Sequence, residues 1–195
     1  MKIKFVLIIV CIALFNASVL YAAAFSDNDI NVTFPEQLGT LEFHGQQKYP
    51  EKGLGYSLRY DDNKLFKVDV YVYDENLSNI GNSIDSKEII EEFDKVLSLF
   101  PIMEKMGKYK DVRQLDKGTV SFFKGERKFL WSSYQYSQLP GGGTTYLGKR
   151  ISETYLTAKS GKYIKVRLTL IAEEFKEKQK AIKEFMEEFS KVLEK

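Results

Sequence analysis

The sequence contains few of the residue combinations that carry out catalysis. Its 195 residues include one His and one Cys, which nearly excludes a structural zinc site, a disulfide framework and a Cys–His nucleophile pair. A Ser–His–acid triad would have to use His44, and the sequence has no Gly-x-Ser-x-Gly elbow to present the serine. We therefore predict no catalytic residue, and we expect His44 at a surface or pocket position.

The segment 143–150 comes close to a phosphate-binding loop but departs from it where magnesium would be held. Such a loop needs Ser or Thr directly after its lysine, followed by a helix. Here Arg150 follows Lys149, and residues 151–157 alternate as a strand does. We predict a hairpin strand at this position, with no nucleotide or other cofactor bound.

Adjacent acidic residues could in principle hydrolyse a glycosidic bond without histidine. They occur at 61–62, 91–92 and 187–188, but neighbouring residues on a helix or turn point apart. Residues 61–63 also lack the ligand spacing and the final Glu of an EF-hand loop. We predict a polar turn and solvated helix faces, and no metal site. A secreted hydrolase that uses carboxylates, with or without His44, stays open as an alternative.

Aromatic and basic residues offer recognition chemistry instead of catalysis. Tyr and Arg are favoured in recognition surfaces because they bring contact area and forked hydrogen bonding at a small loss of rotamer freedom. In several strand-like stretches they alternate with apolar residues, which places them on one face of a sheet. We predict that this face binds a ligand or partner through Arg59, Lys67, Tyr71, Tyr73, Arg150, Tyr163, Lys165 and Arg167. The alternative is that the same aromatics pack beneath a helix.

Alternating apolar residues indicate the strands that must carry this face. Residues 56–60 and 65–73 alternate on either side of a short polar loop, which favours an antiparallel hairpin. Residues 25–39 look like a loop with a short strand. Further strands are predicted at 41–48, 119–123, 128–138, 144–157 and 162–171. Three glycines at 141–143 predict a mobile loop tip.

Two stretches have the period of an amphipathic helix, 86–100 and 173–194. Pro101 is expected to end or kink the first helix, with any further turn stopped at Gly107. Strands that are apolar on one side need a helical layer, and short turns favour antiparallel pairing. We therefore predict an α+β domain, with a mainly antiparallel twisted sheet of about six strands and two amphipathic helices packed against it.

Residues 1–24 have the features of a signal peptide. Lys2 and Lys4 precede an apolar run at 5–15, and three alanines close the segment. We expect cleavage after Ala24, which leaves one domain over 25–195 in the periplasm or outside the cell. The apolar run is short for a membrane span, so no stable transmembrane anchor is expected after cleavage.

The mature chain would be uncharged overall and free of thiols. The full sequence has 29 basic and 27 acidic residues. Removing 1–24 takes away two lysines, no acid and Cys11, which leaves 27 residues of each sign. A neutral protein has no overall field to attract nucleic acid, so we predict no nucleic-acid partner.

Three stretches carry a resemblance: FPEQLGTL at 34–41, GLGYSLRY at 53–60 and VDVYVYD at 68–74. Together with YLT at 155–157 and YIKVR at 163–167, their order resembles a group of small secreted bacterial proteins of uncharacterised function. More remotely, the order of hairpin, helix, meander and C-terminal helix is similar to the PsbP/Mog1-like α/β/α sandwich. That resemblance implies a binding or assembly factor, and it transfers no site residue to this chain.

The sequence thus predicts an exported, non-enzymatic binding or assembly protein of the bacterial envelope. Its partner would be an unidentified protein or small ligand. Besides the hydrolase, a purely structural envelope protein stays open as an alternative.

Overall fold

The chain folds as an antiparallel sheet with one long helix on each face. The computed structural model describes residues 23–63, 66–139 and 148–194. The apolar run of the expected signal peptide and the glycines at 141–143 lie outside these residues. Within the described residues no helix is long and apolar enough to cross a membrane. The α+β class predicted from the sequence is confirmed.

The elements follow one another along the chain in a simple order. The first half holds β1 (Ala23–Asp27), β2 (Val32–Pro35), β3 (Gln37–Leu38), β4 (Leu41–Lys48), β5 (Tyr56–Asp61), β6 (Lys67–Tyr73) and α1 (Lys87–Lys105). The second half holds β7 (Tyr109–Phe122), β8 (Arg127–Gln138), β9 (Gly148–Lys159), β10 (Lys162–Ile171) and, after a short 3₁₀ turn, α2 (Phe175–Leu193).

The strand order brings the two halves of the chain together at the centre of the main sheet. That order is β3-β4-β5-β6-β10-β9-β8-β7, and every neighbouring pair is antiparallel. The pairing of β6 with β10 is the join: Val70 lies opposite Val166. The strands β1 and β2 pair separately as a small ribbon. Cleavage after Ala24 would leave residues 25–27 of β1 in that ribbon.

The helix α2 covers one face of the sheet with its apolar stripe. Phe185 and Phe189 are fully buried, and the Phe185 ring meets that of Tyr60 at 5.6 Å between centroids. The central strands contribute alternate residues to the same core, among them Val70 and Val166. Because strand residues alternate between the two faces, the other residues of β6 and β10 point toward α1. They include the predicted aromatic and basic residues of these strands.

The helix α1 packs on the opposite face through aromatic contacts with β7 and β8. The Phe100 ring stacks on Tyr134 with centroids 4.1 Å apart, and Phe93 and Leu97 are buried in the same cluster. Glu92 is also buried, at 6% exposure. The same helix reaches β6 and β10 through hydrogen bonds from the Tyr73 hydroxyl to Glu92 and from the Tyr163 hydroxyl to the Glu88 carbonyl.

Of the two outcomes expected at Pro101, an end or a kink, the end is excluded, and the further turn allowed before Gly107 is present. The helix continues to Lys105, because proline removes one backbone donor while the next turn forms its own bonds. The Met106 amide donates to the Ile102 carbonyl at 3.0 Å. The predicted stop at Gly107 is confirmed: this residue has φ 67°, the left-handed conformation typical of a helix C-terminus.

The main sheet has eight strands in the described residues, more than the expected six. The strand β7 begins at Tyr109, ten residues before the predicted start at 119. It is an edge strand, exposed along most of its length and interrupted by two irregularities in its pairing. A strand at the edge of a sheet and exposed to water needs no alternation of apolar and polar residues. The first part of β7 therefore lacks the period-2 pattern by which strands are predicted.

Candidate functional site

The eight residues of the predicted recognition face share the sheet face on which α1 packs. Pairing across β6 and β10 sets Tyr73 opposite Tyr163 and Tyr71 opposite Lys165. The structure separates the set into two groups. Four of its members surround a cleft beneath α1, Tyr71, Tyr73, Lys165 and Arg167.

The other four members lie on the same face but outside the walls of this cleft. Arg59 and Lys67 are exposed near the end of the sheet distant from α1. Arg150 is 6% exposed and lies opposite Tyr136 of β8. Tyr163 is buried under α1, where its hydroxyl donates to the Glu88 carbonyl at 3.2 Å. Tyr163 therefore has the packing role that the alternative interpretation assigned to the aromatics.

The cleft has two adjoining lobes. The first, called here the Arg167 lobe, has a volume of about 140 Å³ and is lined by Phe100, Met103, Tyr109, Thr154 and Arg167. The second, the Tyr71 lobe, has a volume of about 240 Å³ and is lined by Tyr49, Leu54, Tyr71, Tyr73, Glu75, Glu92 and Lys95. Val96, Leu99 and Lys165 line both, so the lobes meet beneath one stretch of α1.

Arg167 is held in place by neutral oxygen atoms. Its Nε donates to the Ser152 hydroxyl and its Nη2 to the Tyr109 hydroxyl, each at 3.2 Å. The Phe100 ring lies 5.4 Å from the guanidinium carbon. Burial raises the pKa of the neighbouring Tyr136 to about 12, so this phenol stays neutral. A guanidinium has five N–H donors, and none of these contacts supplies a negative charge.

The carboxylate best placed to neutralise Arg167 is bound elsewhere. Asp69 lies opposite Arg167 in the sheet, but its carboxylate faces Arg59 on the next strand. The Arg59 Nε donates to Oδ1 at 2.8 Å, and Nη2 donates to Oδ2 at 3.3 Å. This two-point pair is the geometry that arginine and carboxylate favour. The exposed Arg59 therefore keeps Asp69 away from Arg167.

Lys165 stands between the two lobes and contacts aromatic rings instead of an acid. Its Nζ lies 4.5 Å from the centroid of Tyr71 and 5.2 Å from that of Tyr73. Burial lowers the pKa of Lys165 to about 8. The negative charge of Glu92 opposes this shift, and the positive charge of Arg167 adds to it. Among the described residues, neither Lys165 nor Arg167 forms an ion pair with a carboxylate.

The acids that border the cleft are engaged with other partners. Glu92 accepts a hydrogen bond from the Tyr73 hydroxyl at 2.6 Å, and its second oxygen lies 3.5 Å from Lys95 Nζ. The same ammonium pairs with Glu75. Lys95 thus bridges two carboxylates in the Tyr71 lobe, and these three groups together carry one net negative charge.

His44, the residue that a triad would require, lies outside the cleft. Its Nε2 is 3.2 Å from an Asp61 carboxylate oxygen, and its side chain is 36% exposed. Asp61 is therefore a partner for His44. Among the described residues, no Ser or Thr hydroxyl is hydrogen-bonded to His44. Within those residues no cluster of three or more His, Cys, Asp or Glu side chains could hold a metal ion.

Residues of α1 form the part of the site that the sequence did not reveal. Leu99 and Met103 line the Arg167 lobe, yet Leu99 falls off the apolar stripe that defines the buried face. A signal was present, because Leu99, Ile102 and Met106 are apolar residues outside that stripe. All three are well exposed. Extra apolar residues on the solvent side of an amphipathic helix are typical of a binding surface.

Comparison with known proteins identifies no family for this chain. No protein-family profile matches the sequence, and no curated protein matches it. The chain is similar to the solution structure of cyanobacterial PsbP (CyanoP) from Synechocystis sp. PCC 6803, with 12% identity, a TM-score of 0.48, and coverage of 84% of this chain and 88% of that one. It is also similar to a Pseudomonas aeruginosa protein of unknown function, with 10% identity, a TM-score of 0.39, and coverage of 84% and 92%.

These are remote likenesses of architecture. The resemblance to small secreted bacterial proteins stays a prediction. Any function for this chain has to come from the geometry of its own cleft.

Proposed function

We propose that this chain is an exported, non-enzymatic binding protein of the bacterial envelope, and that the cleft beneath α1 holds a small anionic ligand. The observation that carries the proposal is the pair of cations in the cleft, Lys165 and Arg167. Neither has a carboxylate partner among the described residues, and both are partly buried among aromatic rings.

The desolvation cost of these two cations favours a role in binding over a role in folding. Burying a charge without a partner is costly, and folded proteins pair or neutralise such groups. Here the Asp69 carboxylate is hydrogen-bonded to Arg59, and Arg167 donates to hydroxyl oxygens. An anion entering the cleft would supply the missing negative charge. Strained or costly arrangements of this kind are common where a ligand completes the site.

Export is supported by the sequence features of residues 1–24 and by the absence of thiols from the mature chain. Recognition of a periplasmic or extracellular solute is consistent with a neutral protein whose charges are arranged locally. The cleft is open to solvent at its rim, where Leu54 is 43% exposed and Leu99 50% exposed. A solute can therefore enter without unfolding the domain.

The test is a titration of the isotope-labelled mature chain followed by NMR. Acetate, benzoate and phosphate are added to about 10 mM, which detects dissociation constants into the millimolar range. We expect shifts of backbone amides in β10 around Lys165 and Arg167 and in the middle of α1. If all three anions leave those amides unmoved, the proposal is wrong and a purely structural protein becomes the better interpretation.

A carboxylate-dependent hydrolase is favoured by one observation, the meeting of Glu75 and Glu92 at Lys95 in the Tyr71 lobe. A retaining or inverting mechanism needs one acid to donate a proton, whereas both of these carboxylates hold a shared cation. We expect the substitution Glu92→Gln to retain anion binding, because Lys165 and Arg167 both remain. The affinity itself should change, since the charge of Glu92 acts on the Lys165 ammonium.

The same variant separates the two functions. Turnover of chromogenic ester or glycoside substrates by the wild-type protein, lost in Glu92→Gln, would establish the hydrolase. Binding that survives the substitution in a protein without turnover is the result expected here.

A further inference from the structure

The shape and polarity of the cleft restrict which anion it can hold, if the proposed function is correct. The Arg167 guanidinium already donates through Nε and Nη2, so its fork is oriented by Ser152 and Tyr109. A planar carboxylate can approach the remaining donors in the same plane. Lys165 adds a second donor at the boundary between the lobes.

A singly charged group suits this site better than a phosphate or sulfate. The lobes are lined by three cations, Lys95, Lys165 and Arg167, and by two carboxylates, Glu75 and Glu92, so these charges sum to plus one. A dianion would lose more hydration on entry than one net positive charge returns. A carboxylate brings a single negative charge, which balances the sum.

The remaining walls favour an apolar body attached to that carboxylate. Val96, Leu99, Phe100 and Met103 of α1 line the Arg167 lobe. Val96, Leu99 and Leu54 also line the Tyr71 lobe, beside its charged groups. A cavity of about 150 Å³ is known to hold benzene, and the Arg167 lobe is of similar size at about 140 Å³. The Tyr71 lobe, at about 240 Å³, has room for a longer chain or a second ring.

The rim indicates where this body ends. Leu54 and Leu99 both line the Tyr71 lobe, and both are exposed to water in the free protein. An apolar chain leaving the carboxylate would pass Tyr71 and cover these two leucines. Its burial would remove apolar surface from water on both the ligand and the protein.

We propose that the cleft binds organic acids in which one carboxylate carries an apolar chain or ring, with the carboxylate at Lys165 and Arg167 and the apolar part along the Tyr71 lobe. The lobe volumes suit a body of roughly six to ten carbons. This proposal rests on the proposed function and adds to it the class of ligand and its orientation.

The test is calorimetric titration of the mature chain with a series of probes. Acetate, butyrate, hexanoate and octanoate vary the chain at constant charge, and octanamide and octylammonium vary the charge at constant chain. We expect affinity to rise about three- to fourfold per added methylene until the lobe is full. Octanamide and octylammonium should bind at least tenfold more weakly than octanoate.

Two variants on α1 locate the chain. Leu99→Ser removes an apolar wall and should weaken octanoate binding by about three- to tenfold while changing acetate binding little. Ile90→Ser is the matched control, because Ile90 is 44% exposed on the same helix and lies outside the walls of both lobes. It should leave octanoate affinity unchanged.

The outcomes distinguish this proposal from the function on which it rests. Equal affinities for acetate and octanoate, or equal losses in the two serine variants, would overturn the proposed ligand class while leaving an anion site in place. Octanamide binding as tightly as octanoate would overturn the anion site itself. No binding by any probe, together with unmoved amides in the NMR titration, would reject both.

Discussion

Replacing Arg167 with Gln should reduce octanoate affinity by about thirtyfold or more. Hydrogen bonds to a charged group contribute more than neutral ones, and truncating one partner of a desolvated charge pair costs about 2–5 kcal/mol. Gln keeps a donor for Ser152 or Tyr109 but removes the charge and the fork. Calorimetric titration of wild type and variant measures the effect.

The substitution Arg167→Lys separates the contribution of the positive charge from that of the guanidinium geometry. Lysine keeps the positive charge but loses the planar fork, so its affinity should fall between those of wild type and Arg167→Gln. Arg113→Gln serves as a control, because Arg113 is exposed on β7, contacts Gln135 and does not line the cleft. A thermal melt checks that each variant is folded. A folded Arg167→Gln protein that binds octanoate as the wild type does would contradict the site.

Replacing Lys165 with Met should stabilise the protein near neutral pH while weakening its affinity for octanoate about tenfold or more. Burial lowers the pKa of Lys165 to about 8 in the folded chain, against 10.5 for a free lysine. The charged form is therefore disfavoured by folding, on the order of 1–3 kcal/mol after allowance for partial exposure. Met preserves the length of the side chain and can contact Tyr71 through sulfur.

The pH dependence gives this prediction a definite sign. Because the folded-state pKa lies below the unfolded one, the unfolded chain binds more protons between about pH 8 and 10.5. Stability of the wild type owed to Lys165 therefore rises with pH across that interval. The groups that act on its ammonium from neighbouring elements are Glu92 and Lys95 on α1, Glu75 after β6, Tyr71 and Tyr73 on β6, and Arg167 on β10.

Denaturant unfolding at neutral pH and at about pH 10 provides the measurement. The stabilising effect of Lys165→Met should be largest at neutral pH and shrink at the higher pH, where the wild-type lysine is already neutral. Lys110→Met, at an exposed position on β7, should show no such trend. A Lys165→Met protein that is less stable than wild type at neutral pH would show that the cation contributes to folding.

Opposite effects on stability and binding are what a ligand site should produce. If Lys165→Met raises stability and weakens octanoate binding, then Lys165 destabilises the empty protein, and a bound anion offsets that loss of stability. A residue retained for folding alone would lower both properties when removed.

The residues of the recognition face could be predicted from the sequence. Which of them line the cleft and which are buried under α1 could not. Period-2 alternation places Tyr71, Tyr163 and Lys165 on one face, since successive strand residues point to opposite sides. Which of them is covered depends on where α1 lies. That position is set by contacts distant in sequence, such as Phe100 with Tyr134. Tyr163 is therefore buried under α1, while Lys165, two residues later, lines the cleft.

Charge pairing was equally hidden from the sequence. Asp69 is two residues from both Lys67 and Tyr71, so period-2 alternation predicts that all three lie on the same face. The antiparallel registers of β5 and β10 against β6 set both Arg59 and Arg167 opposite Asp69, and the carboxylate bonds to Arg59. Local patterns do not encode the register between strands that are far apart in the chain. The unpaired state of Arg167, on which the proposed function depends, is therefore visible only in the folded structure.

The most direct test of the anion site is the pKa of Lys165 itself, measured from the carbon-13 shift of its Cε during a pH titration. We expect a value of about 8 in the free protein, because the ammonium is buried without a carboxylate. Saturating octanoate should raise the pKa by about one unit or more, since a bound anion favours the charged form. Octanamide should leave it unchanged. An ordinary lysine pKa that does not respond to octanoate would contradict the account.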